Sequence, residues 1–88
     1  MKKLILLLFL LPTIAFGQKT YVPDDNFENY LENNGMGDGI ANNDSVLTAN
    51  ISNRTSLGVA NKNISDLTGV EDFDSLTQLT CFSNNLTF

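Results

Sequence analysis

Residues 54–64, RTSLGVANKNI, can be laid over residues 76–86, LTQLTCFSNNL, so that Leu57 falls on Leu79, Val59 on Cys81 and Ile64 on Leu86. The offset is a constant 22 residues. In the second unit the apolar positions 76, 79, 81 and 86 are separated by three, two and five residues. Such gaps fit neither a helix, with its period of roughly 3.6, nor a strand with strict alternation. Self-similarity at a period of about 20–50 residues marks stacked repeats, each of which buries its apolar face only against its neighbours. The chain is therefore read as the start of a coil, with one short parallel strand per unit.

In that coil Leu57 and Val59, then Leu79 and Cys81, point inward from neighbouring strands about 4.8 Å apart. Gly58 and Thr80, together with Ala60 and Phe82, lie on the outward, concave sheet face. Asn84 is expected to turn the corner after the second strand, where its side-chain amide satisfies backbone groups that the bend leaves unpaired. The first unit has Lys62 in the equivalent place and Arg54 where the second has Leu76, departures that suit a terminal repeat. Between the strands, Ile64, Leu67, Val70, Phe73 and Leu76 recur every third residue. That period predicts a return arm of tight turns or 3₁₀ helix, with Thr68 and Glu71 as a capping box. Leu86 completes the expected core.

Upstream, residues 26–32 read NFENYLE, and Phe27, Tyr30 and Leu31 at i, i+3 and i+4 predict the buried face of a short helix. Pro23, Asp24 and Asp25 supply its N-terminal stop and capping carboxylates, and Asn33, Asn34 and Gly35 its C-cap. Glu28 and Glu32, also i and i+4, read as a solvated face. Residues 35–45, GMGDGIANNDS, are loop chemistry. Residues 46–53 fit a strand, a short helix or a cap segment.

The chain opens MKKLILLLFLLPTIAFGQ: two lysines, an apolar run at 4–11, and small residues Ala15 and Gly17. This pattern predicts a cleaved secretory signal peptide over residues 1–17, with cleavage after Gly17. The run falls short of the roughly 20 residues that span a bilayer, so no membrane span is expected in the mature chain. The division that follows is a signal peptide at 1–17, a helical cap and linker at 18–53, and two repeats at 54–88, the second truncated. Losing Lys2 and Lys3 leaves Lys19, Arg54 and Lys62 against ten acids, moving the formal net charge from −5 to −7. So acidic a chain repels phosphate backbones, which argues against a nucleic-acid partner.

Histidine and tryptophan are absent and Cys81 is the one cysteine, so Ser-His and Cys-His nucleophiles and histidine metal sites are excluded. Catalysis would fall to carboxylate pairs, none of which sits in an apolar stretch of sequence. No enzymatic role and no cofactor are therefore expected. Cys81 occupies an inward repeat position, where free cysteine behaves as a small hydrophobe. Asp38, Asn42, Asn43 and Asp44 could offer oxygen ligands to calcium, but their spacing departs from the EF-hand pattern and a plain polar loop is the simpler reading.

Three stretches, YVPDDNFENYL, SVLTANISNRTSLGVANKNISDLTGVEDF and LTQLTCFSNNLT, together resemble the N-terminal part of leucine-rich-repeat proteins exported by Bacteroidetes such as flavobacteria. The 22-residue unit is similar to that of bacterial internalins. The resemblance covers residues 21–88 and implies an α/β leucine-rich-repeat solenoid: short parallel strands, turn or 3₁₀ return arms, and a helical N-terminal cap formed by residues 23–34. It implies a secreted or surface-attached module that recognises a protein or cell-surface ligand; with no catalytic constellation, the contacts expected on its concave face are Gly58, Ala60, Thr80 and Phe82. Since about three or more repeats are needed for stability, two imply an incomplete array, the first piece of a longer chain or a truncated one. Alternatives are a purely structural solenoid cap, or part of a larger exported enzyme or carbohydrate-binding protein.

Overall fold

The computed structural model describes residues 17–87; apart from Gly17, the expected signal peptide lies outside them. In chain order they form β1 (Lys19–Tyr21), α1 (Asp25–Asn33), β2 (Ser45–Leu47), a first 3₁₀ turn (Thr48–Asn50), β3 (Ser56–Gly58), a second 3₁₀ turn (Val70–Asp72) and β4 (Gln78–Thr80). β1 and β2 pair antiparallel, Thr20 opposite Val46. β3 and β4 pair parallel, with Ser56 opposite Gln78, Leu57 opposite Leu79 and Gly58 opposite Thr80. Each partner in that second sheet is separated by the 22-residue offset seen in the sequence.

α1 begins where Asp24 takes extended backbone and its Oδ1 accepts the Phe27 N–H at 2.9 Å. A capping bond of this kind contributes about 1 kcal/mol. The helix ends at Asn34, whose N–H donates to the Leu31 carbonyl, and Gly35 continues with φ +76°, the left-handed conformation glycine adopts without strain. Phe27 and Leu31 are fully buried and Tyr30 is half-buried.

One core serves both halves of the chain. Val22, Phe27, Leu31, Met36, Val46 and Ile51 from the N-terminal half pack with Leu57, Val59, Ile64 and Phe73 from the repeat. Leu67, Val70, Leu76, Cys81 and Leu86 are half-buried against it. Burying a side chain such as Phe27 contributes roughly 1.5–3 kcal/mol, so the segments before and after residue 54 stabilise one another.

Polar ties reinforce that union. Thr20, 2% exposed, donates its hydroxyl to Asp72 Oδ2 at 2.8 Å and stands 2.8 Å from the Thr48 hydroxyl. Because Thr20 has a single O–H, Thr48 is the donor in the second bond. Nearby, Gly69 has φ +109°, and a Cβ there would lie 2.8 Å from Val22 Cγ2 and 2.9 Å from the Tyr21 carbonyl oxygen. Only glycine lets the return arm pass this close to the β1 end.

Three expectations need correction. Leu79, expected in the core, is 41% exposed: it stands beside Leu57, but among the described residues no coil covers its other flank. Glu28, expected on a solvated face, is fully buried and Glu32 is half-buried, because residues 35–45 fold back over that side of α1. Thr68 and Glu71 form no reciprocal capping box. The Thr68 N–H and hydroxyl both donate to Asp66 Oδ1, while Glu71 accepts the Gly69 N–H, since Asp66 two residues upstream closes a tighter local turn. Residues 46–53, which fit a strand, a short helix or a cap segment, hold the end of a strand and a 3₁₀ turn in succession, and β2 pairs with β1, a strand that the sequence pattern does not signal.

Candidate functional site

The surface of interest is built on β3 and β4. Strand alternation turns Ser56 and Gly58 outward while Leu57 and Val59 are buried. Through the parallel register, Gln78 and Thr80 stand beside Ser56 and Gly58. The ladder continues past the strands, with the Val59 N–H donating to the Thr80 carbonyl at 2.8 Å and the Asn61 N–H to the Phe82 carbonyl at 3.1 Å. Of the four expected contact residues, Gly58 and Phe82 are exposed, Phe82 at 64%, whereas Ala60 and Thr80 are half-buried. A Cβ on Gly58 would meet nothing within 4 Å, so open space lies above the middle of the face.

The turn that follows is held by Asn84. Its Nδ2 donates to the carbonyls of Val59 at 2.8 Å and Cys81 at 2.9 Å. Its Oδ1 accepts the N–H groups of Lys62 at 2.9 Å and Ile64 at 3.1 Å. Nδ2 also lies 3.4 Å from the Phe82 carbonyl, so one carboxamide engages five backbone groups belonging to two successive turns. Asn61, Asn63 and Ser83 all have φ between +57° and +59°. Position 83 repeats position 61 at the 22-residue offset.

Several carboxylates gather around residues 35–45. Glu28 accepts the N–H groups of Asn43 at 3.1 Å and Asp44 at 2.9 Å, and Glu32 those of Asp38 and Gly39, both at 3.0 Å. A Cβ on Gly37 would overlap the Glu32 carboxylate. Asp38, its side chain 2% exposed, accepts from the Ile40 N–H, the Asn43 amide and Lys19 Nζ. Burial pushes the Asp38 carboxyl up, but the bonds from Asn43, Ile40 and Lys19 outweigh it and hold the group well below the usual carboxylate range. Among the described residues the acids able to converge on one cation are Asp25, Glu28 and Asp44, with oxygens within 4.8 Å of one another. Of the residues that could offer oxygens to calcium, Asp38 is engaged by Ile40, Asn43 and Lys19 and Asn42 is an exposed turn residue with φ +58°; Asp44 alone joins this group. Both Glu28 oxygens already serve backbone amides, the work of a structural anchor.

Cys81 is half-buried and its carbonyl accepts from Asn84. No helix among the described residues is long and apolar enough to cross a membrane. No protein-family model and no curated protein matches the chain.

Proposed function

We propose that the chain is an exported, non-catalytic recognition module, the helical cap and first two units of a leucine-rich-repeat solenoid, which binds a protein or cell-surface ligand through the β3 and β4 face. The observation that supports this reading is Phe82, an aromatic side chain 64% exposed beside the outward residues of a parallel strand pair. Large aromatics in such positions supply much of the energy at protein interfaces. Glu28, Glu32 and Asp38 are engaged by backbone amides, which fits a structural role for them.

A photo-crosslinking residue at position 82, compared with one at exposed Asp74, tests the reading on exported protein at the cell envelope. A defined adduct formed from position 82 and not from 74 is the expected result. Equal or absent crosslinking from the two positions sinks the recognition role.

A second reading, a cap that only seals the solenoid end, draws on Asp24. Its Oδ1 caps α1 while its Oδ2 accepts the N–H groups of Ser65 at 2.9 Å and Asp66 at 3.2 Å. Deleting residues 21–34 should then unfold the repeat, and the crosslink from position 82 should be absent in the intact chain.

A further inference from the structure

The outer face of α1 breaks the preferences of a helix. Asn26, Asn29 and Asn33 are all exposed on it, and Asn34 follows as the C-cap. Asparagine is among the poorer helix formers, and at exposed positions lysine, glutamate or alanine would serve the helix better. Two of the four have a structural return: the Asn26 amide donates to the Asn63 carbonyl at 2.9 Å, and the Asn34 amide to the Tyr30 carbonyl at 2.7 Å. The side chains of Asn29 and Asn33 make no hydrogen bond to the described residues. Local rules broken without structural gain are expected at functional or strained positions.

These residues face a cleft of about 400 Å³ lined by Asn26, Asn29, Tyr30, Asn33, Asn34 and Lys62. The cleft is open to solvent and mostly polar in its lining. The two walls are tied together, by the bond from Asn26 to Asn63 and by Lys62 Nζ lying 5.4 Å from the centroid of the Tyr30 ring. In a chain with twice as many acids as bases, no carboxylate lines this cleft.

That lining selects a ligand by its chemistry. A cationic ligand would find no acid, and a polyanion would find one ammonium, already over an aromatic ring, in a molecule that repels it. An apolar ligand would leave the amides unpaired. Sugar hydroxyls both donate and accept, and each carboxamide offers an acceptor and two donors on one plane, suited to adjacent hydroxyls. The half-buried Tyr30 side chain and the methylene stem of Lys62, whose ammonium lies over the ring, form one short apolar wall beside which pyranose C–H groups can lie. We propose that the cleft between α1 and the turn at 62–63 binds a neutral oligosaccharide, with Asn29 and Asn33 reading its hydroxyls against the Tyr30 wall.

The inference does not rest on the recognition face, and the test keeps the two apart. Cellohexaose, xylohexaose and mannohexaose, with oligogalacturonate as a charged control, are titrated into the isotopically labelled chain and amide shifts recorded. At least one neutral hexasaccharide should saturate, with shifts confined to α1 and the turn at 62–63. Asn29→Ala and Asn33→Ala should each weaken binding about tenfold while leaving thermal stability unchanged or raised, since alanine favours the helix. Phe82→Ala should bind sugar as the parent does. The proposal is overturned if none of the neutral probes saturates, if only oligogalacturonate binds, if shifts centre on Phe82, or if the asparagine variants bind like the parent.

Discussion

Asn84 accepts the backbone N–H of Lys62 at 2.9 Å, so the side chain of one repeat closes the turn of the repeat 22 residues before it. The same oxygen accepts from Ile64, while the amide donates to Val59 and Cys81. The first turn therefore depends on a side chain that belongs to the second. Asn84→Leu removes all five backbone partners at once and leaves part-buried N–H and C=O groups unsatisfied, each costing about 1–3 kcal/mol. We expect a loss of at least 3 kcal/mol in urea unfolding on that scale. Asn84→Asp keeps the acceptor, sets a carboxylate against two carbonyls, and should retain only part of the stability.

Glu28→Ala tests the anchor beneath residues 35–45. Its fully buried carboxylate is the partner of the Asn43 and Asp44 N–H groups. Truncation orphans both and opens a void, for a loss of about 2–4 kcal/mol. Glu28→Gln retains one acceptor and should lose about half as much by the same reasoning. Amide hydrogen exchange at 43 and 44 reads the effect locally; unchanged protection in Glu28→Ala would show that other groups hold the loop.

The repeat register, the helix and the asparagine corner are legible in the sequence because each depends on spacing. The 22-residue offset pairs Leu57 with Leu79, and Phe27 and Leu31 fall one turn apart. Glu28 was not legible, because acids at i and i+4 look alike whether they face water or a loop. A signal was present in residues 35–45, eleven residues rich in Gly, Asn and Asp whose amides need acceptors. β1 escaped because three residues carry no usable period and its partner β2 is 26 residues away in register. Leu79 misleads for a different reason: repeat position fixes which way a side chain points, while burial depends on what stacks against it.

Gly69→Ala should be among the most damaging single-methyl additions. The new Cβ would meet Val22 Cγ2 at 2.8 Å and the Tyr21 carbonyl at 2.9 Å in a backbone with φ +109°. Strain of that class costs about 1–3 kcal/mol before the clash is added. Gly58→Ala, with open space around its Cβ and no positive φ, should stay within about 0.5 kcal/mol of the parent. Comparable midpoints for the two variants in denaturant would contradict the close approach of the return arm to β1.

Asp38 gives the chain an acid-sensitive fastening. Burial raises its pKa, but the bonds from Asn43, Ile40 and Lys19 prevail and lower it from the ordinary value of 3.8. The native carboxylate is thus harder to protonate than the same group in the unfolded chain. The stability it contributes is full above the ordinary value and is lost as pH falls below 3.8 toward the depressed folded value. Lys19 is half exposed, so its share is screened by salt and small; the amide donors from Ile40 and Asn43 carry most of the effect. Asp38→Asn removes the charge and should flatten the melting temperature across that acid window while lowering it at neutral pH. Melting curves at graded pH check both halves, and an Asp38→Asn profile parallel to the parent's would mean that other carboxylates set the acid response.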